Sequence, residues 1–164
     1  AVGATGELAL AQAELAKLET LMADSSTAGN RAGATATREI VTLAAYGLRG
    51  EIQLAMGELE GAIASFEFGV ALEDTNNYTE PPDWPQSMRL YLGSALLRAG
   101  HYKEAQKVFE RDLEWNQKNG WALFGLTQAL RAQDQTVAAE ARALQWQTAW
   151  ESADLELKEA VMLD

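Results

Sequence analysis

Cysteine is absent from the 164-residue chain, so disulfides, thiolate zinc sites, iron–sulfur clusters and thiol nucleophiles are excluded. Histidine occurs once, at His101, which excludes a centre built from several histidines. The three prolines all fall within Pro81–Pro85, leaving the rest of the chain free of the strongest helix breaker. Basic residues are outnumbered 13 to 24, for a net charge of −11. That balance argues against a nucleic-acid phosphate binder and against adhesion to an anionic membrane. No apolar run nears the ~20 residues of a membrane-spanning helix. A cysteine-free chain suits the cytosol and the periplasm equally, so composition does not assign a compartment. The chain starts at Ala1 with no signal-peptide pattern; the expectation is a fragment of a larger protein, or a chain whose leader has been removed.

What remains is rich in Ala, Leu, Glu and Gln, with 48% apolar residues. These are strong helix formers, and no stretch alternates polar and apolar residues as a strand would. The expected fold is all-α, in a single domain spanning 1–164. Leu8, Leu15, Leu18 and Leu21 predict a helix over Glu7–Ala23. A second is predicted over Thr37–Met56, with Thr37 or Thr35 as N-cap and Gly57 as the stop. Further helices are predicted over Leu59–Leu72, Gln86–Ala99, Tyr102–Trp115, Gly120–Ala132 and Thr136–Glu151. A short capping helix is expected within 154–164. Asp74–Pro85 reads as a loop.

The helices come in pairs joined by very short turns, which force antiparallel neighbours. The pairs also repeat over three windows, 43–76, 86–119 and 120–153, with 77–85 as an insertion after the first. Aligned, Gly50, Gly93 and Thr127 coincide, as do Ala62, Ala105 and Ala139. Gly57, Gly100 and Asp134 meet at the turn, and Phe66 matches Phe109, with Ala143 in the third window. Small residues are needed where paired helices cross closely, so Ala105 is expected to approach Gly93.

The run Leu92-Gly93-Ser94-Ala95-Leu96-Leu97-Arg98-Ala99-Gly100-His101-Tyr102-Lys103-Glu104-Ala105, followed by Phe109, resembles a tetratricopeptide repeat. The segment from Glu80 through Trp150 is similar to the C-terminal part of larger bacterial proteins containing such repeats. The third window departs from the pattern at Thr127, Ala143 and Trp146, and residues 1–36 match no repeat. The resemblance implies antiparallel helix pairs in a right-handed superhelix whose inner face binds protein or peptide. On that implication, Glu51, Leu54, Leu90, Leu97, Arg98, Trp121, Phe124, Gln128 and Arg131 form the candidate groove. A bound segment would carry an apolar side chain near a carboxylate that meets Arg98 or Arg131. The competing reading has Trp121 and Phe124 packed against terminal helices, with the groove filled by the protein itself. The Lys and Asn clamp by which some such modules grip acidic chaperone tails is missing, since the corresponding positions hold Gly47, Glu51 and Ser94.

Charge is uneven along the chain. Residues 89–131 carry seven bases and four acids, whereas 39–88 carry nine acids and one base. A mildly basic middle between acidic flanks is suited to steering an acidic partner. Glu73, Asp74, Glu80 and Asp83 cluster in the loop but lack the order of a calcium-binding EF-hand. That loop reads as structural, stiffened by Pro81-Pro82 and pinned by Tyr78 and Trp84. No metal site and no cofactor is expected. An enzyme built on Glu80, Asp83 and His101 has no nucleophile–base arrangement behind it. The reading is a non-catalytic module for protein–protein interaction, binding a protein, a peptide or the rest of its own chain. The alternative is a structural oligomerisation domain, with a homo-oligomer as its assembly. Neither reading involves nucleic acid or membrane.

Overall fold

The computed structural model describes residues 2–26, 30–32, 35–75, 84, 86–154 and 157–160. Helices dominate, as composition requires. The chain divides into two compact units, Ala1–Met88 and Arg89–Asp164, where the sequence suggests one domain. The division falls just after the proline-bearing loop. Among the described residues no helix is long and apolar enough to cross a membrane.

The first unit contains α1 (Val2–Ala23), a two-residue antiparallel pairing of β1 (Arg31–Ala32) with β2 (Thr35–Ala36), α2 (Thr37–Met56) and α3 (Leu59–Glu73). Helix α2 packs on both α1 and α3. On α1, Leu8, Ala11, Leu15, Leu18 and Met22 are half-buried at spacings of three and four. Leu21, expected in that stripe, remains 44% exposed. Glu19 pairs with Arg49 of α2 at 2.8 Å, Arg49 lies over the Tyr46 ring, and Tyr46 stacks on Phe68 of α3. The N-cap of α2 is neither Thr35 nor Thr37 but Ala36, which has no capping side chain. Backbone contacts take over: Ala36 N–H donates to the Glu39 carboxylate and Thr37 N–H to the Asn30 carbonyl.

The second unit contains α5 (Tyr102–Trp115), α6 (Gly120–Arg131) and α7 (Thr136–Ala149), with α4 (Met88–Arg98) crossing the boundary at its first residue. Within the first unit, Glu73 accepts a hydrogen bond from Met88 N–H at 3.0 Å. Tyr78, Glu80, Pro81, Pro82, Asp83 and Pro85 lie outside the described residues, so the structure does not bear on the expected stiffening of that loop.

Three helix pairs close with the same turn. Gly57, Gly100 and Asp134 all have positive φ, at 79°, 77° and 57°. Each N–H reaches back three residues, to Leu54, Leu97 and Arg131. The following N–H groups of Glu58, His101 and Gln135 reach five residues back, to Gln53, Leu96 and Leu130. This is the Schellman arrangement, which satisfies the last carbonyls of a helix. Five residues beyond each turn lies an alanine with almost no exposure: Ala62, Ala105 and Ala139.

The close crossing differs from the expectation in one respect. A Cβ on Gly93 would meet the Phe109 ring, and one on Gly50 would meet the Phe66 ring. The glycine therefore makes room for an aromatic ring one turn beyond the buried alanine, and the Phe109 ring is the nearest neighbour of Gly93. Phe66 and Phe109 are both fully buried, each 16 residues after its glycine. The third pair uses other rings. Trp150 meets Gly120 and packs edge-on to Trp121, while Trp146 packs against Phe124. Thr127, at the glycine position, donates its hydroxyl to the Leu123 carbonyl. At the start of α6, Asn119 accepts from Trp121 N–H and donates to the buried Asp112 carboxylate at 2.8 Å.

The expected C-terminal capping helix is not present over 157–160, which runs as irregular chain. Residues 155–156 and 161–164 lie outside the described ones.

Candidate functional site

Helices α4, α5 and α6 converge on the irregular segment 157–160. Arg98, in the last turn of α4, donates from Nη2 to both carboxylate oxygens of Glu159 at 2.6 Å. Beside that pair, Leu157 keeps 7% and Ala160 1% of its accessible surface. Gly125 of α6 makes this seat available, because a Cβ there would meet the Phe109 ring and lie 2.7 Å from the Ala160 methyl carbon. Phe109 thus fills the space between Gly93 on α4 and Gly125 on α6, and Ala160 closes over the same point. Arg98 and Glu159 are each a little over a third exposed, so the pair contributes at most about 1 kcal/mol. The apolar contacts carry the rest.

The candidate groove residues do not share one environment. Leu54 and Leu90 are core, at 7% and 2% exposure, and neither is free to anchor a ligand. Trp121 and Phe124 were expected to face away from their partner helix. They face it, through Trp150 and Trp146, so this part of the surface is filled by the protein's own rings. Leu97 and Gln128 are half-buried, and Arg98 and Arg131 are exposed at the ends of their helices. Glu51, in the first unit, is half-buried, and desolvation holds its carboxyl above the ordinary carboxylate pKa. Glu51 and Leu54 belong to one compact unit and the other seven residues to the second.

A separate cleft of about 530 Å³ opens in the second unit, lined by Leu113, Gln117, Lys118, Leu123, Arg142, Gln145, Thr148 and Ala149. Its lining has two cations and no carboxylate. Arg142 is occupied in part by Gln145, at 2.9 Å. His101 is exposed at the turn before α5. Among the described residues no group of three or more His, Asp or Glu side chains is placed to hold a metal.

Comparison of the chain with protein-family models, curated proteins and solved structures found no match. The functional reading therefore stands on the geometry above. Sequence reasoning marked Arg98 and the kind of group it would meet, but it missed Leu157, Glu159 and Ala160. A usable signal was present: residues 132–164 carry seven acids and two bases, opposite in sign to residues 89–131.

Proposed function

We propose that the chain is a non-catalytic protein–protein interaction module built from tetratricopeptide-like helix pairs, α2/α3, α4/α5 and α6/α7. The shared Schellman turns, the buried alanines and the Gly50–Phe66 and Gly93–Phe109 crossings support the repeat. One observation carries the function: the surface made by α4 and α6 takes up an irregular stretch of polypeptide through the Arg98–Glu159 ion pair and the buried Ala160 beside Gly125, and Leu157 of the same stretch is buried as well. A surface that seats such a stretch has the apolar anchors and directed polar contact of a peptide-binding face.

The test is photo-cross-linking in cells from position 128, one turn beyond Gly125 on α6, with position 144 on α7 as control. The reading predicts adducts at 128 that Arg98→Ala reduces and that 144 does not give. Adducts identical from both positions and indifferent to Arg98 would contradict it.

A second reading is favoured by the apolar side chains left open on the last helix. Val137 is 83% and Leu144 65% exposed, seven residues apart on α7. Pairing of this face between two copies would make the chain an oligomerisation domain. Sedimentation at micromolar concentration distinguishes the two, because this reading requires a dimer that Leu144→Glu dissociates.

A further inference from the structure

We propose that residues 157–160 are a built-in stand-in for the partner. The α4/α6 face recognises an irregular segment in which a glutamate follows an apolar residue by two positions and precedes a small one. The chain's own Leu157–Ala160 withholds that face until such a segment from another protein displaces it. This rests on the interaction reading given above and adds to it the partner's chemistry and the control of access.

Each element of the pattern has a cause in the seat. The glutamate is set by Arg98, whose Nη2 reaches both oxygens of Glu159. The small residue is set by Gly125 and Phe109. Ala160 sits where even a Cβ on Gly125 would crowd it, so a larger side chain has no room. The apolar residue is set by the position at which Leu157 loses nearly all of its exposure.

The hold is also weak enough to be exchanged. Among the described residues no backbone hydrogen bond joins 157–160 to α4 or α6. The ion pair is open to solvent on both sides, and such pairs are readily replaced by water or by another carboxylate. A guanidinium has five donors, and Glu159 engages only Nη2. Charge points to the same class of partner. The segment 89–131 has an excess of bases and 132–164 an excess of acids, so a face that attracts its own acidic tail attracts an acidic segment from elsewhere.

The probe is a fluorescent peptide with the sequence of residues 154–164, titrated by polarisation into three full-length chains: wild type, Glu159→Gln, and Glu159→Gln with Arg98→Ala. Circular dichroism confirms that each is folded. A tethered competitor acts at an effective concentration of about millimolar, so weakening it should tighten peptide binding, by up to the roughly fivefold that loss of a solvent-exposed ion pair allows. Glu159→Gln is therefore expected to bind the peptide about two- to fivefold more tightly than wild type, and Arg98→Ala to remove that gain. Equal affinity for wild type and Glu159→Gln overturns the masking role and leaves the interaction reading intact. No binding to any chain overturns the proposed recognition pattern, while the cross-links from position 128 judge the broader reading independently. A Glu159→Gln chain that sediments as a dimer dissociated by the peptide assigns the face to a second copy's tail and overturns the choice of a foreign partner.

Discussion

Replacing Gly93 by alanine tests the central packing contact with a single methyl group. The added Cβ would lie against three carbons of the Phe109 ring, with Cε2 at 2.9 Å and Cζ and Cε1 closer still. Phe109 has no exposed surface, and retreat toward α6 is blocked because Gly125 is already in contact with the same ring. Overpacking of this kind costs about 1–3 kcal/mol. The intrinsic preference of a helix for Ala over Gly returns about 1 kcal/mol. The net expectation is a loss of up to about 2 kcal/mol, with Gly93→Leu at about 2–3 kcal/mol or beyond. For a chain of this length each kcal/mol lowers Tm by about 2–4 °C, read by circular dichroism at the helical band. Gly6→Ala on α1 is the control, because nothing lies within 4 Å of that position, and it should gain up to about 1 kcal/mol. Phe109→Leu supplies the other half of the cycle. The double variant should be more stable than the sum of the singles predicts, by at least about 0.5 kcal/mol. A Gly93→Ala chain that melts above wild type, or a cycle that is strictly additive, refutes the assigned contact.

Asp134→Gly should raise stability by about 1 kcal/mol, since Asp134 is a non-glycine residue held at a φ of 57° in a turn where Gly57 and Gly100 serve the other two pairs. Asn119→Ala should cost about 2–3 kcal/mol in denaturant titration, because it removes the cap of α6 together with a donor to the buried Asp112. Glu51→Gln should raise Tm at pH 7. Burial raises the folded-state pKa of Glu51, so folding favours the protonated form, and stability is lost as pH rises through that raised value. The advantage of the variant should therefore vanish once the pH falls below the ordinary carboxylate range. An advantage that is the same at both pH values would contradict the burial assigned to Glu51.

The features legible in the sequence are those set by neighbours along the chain. Gly57 and Gly100 mark their turns because a left-handed residue is needed there, and Asp134 was found by alignment alone. The buried alanines follow from their fixed distance to those turns. Facing was harder to read. Trp121 and Phe124 occupy positions that a repeat would turn inward, yet each contacts a large ring of the partner helix or its end, Trp146 on α7 and Trp150 just beyond it. Gly93 reads as a close-approach residue, but its spacing to Ala105 and to Phe109 does not say that the Phe109 ring lies nearest to it. The short pairing of Arg31–Ala32 with Thr35–Ala36 is too brief to leave any alternation. The mate of Arg98 lies 61 residues away, beyond what local pattern encodes, although charge balance hinted at its sign.

The claim on which the functional account rests is that Ala160 sits on Phe109 in the seat made by Gly93 and Gly125. Nuclear Overhauser effects between the Ala160 methyl and the Phe109 ring protons measure this directly in the full chain. The account predicts a clear cross-peak with an upfield-shifted Ala160 methyl, both weakened by Glu159→Gln. An Ala160 methyl at its random-coil position with no cross-peak to Phe109 would contradict it.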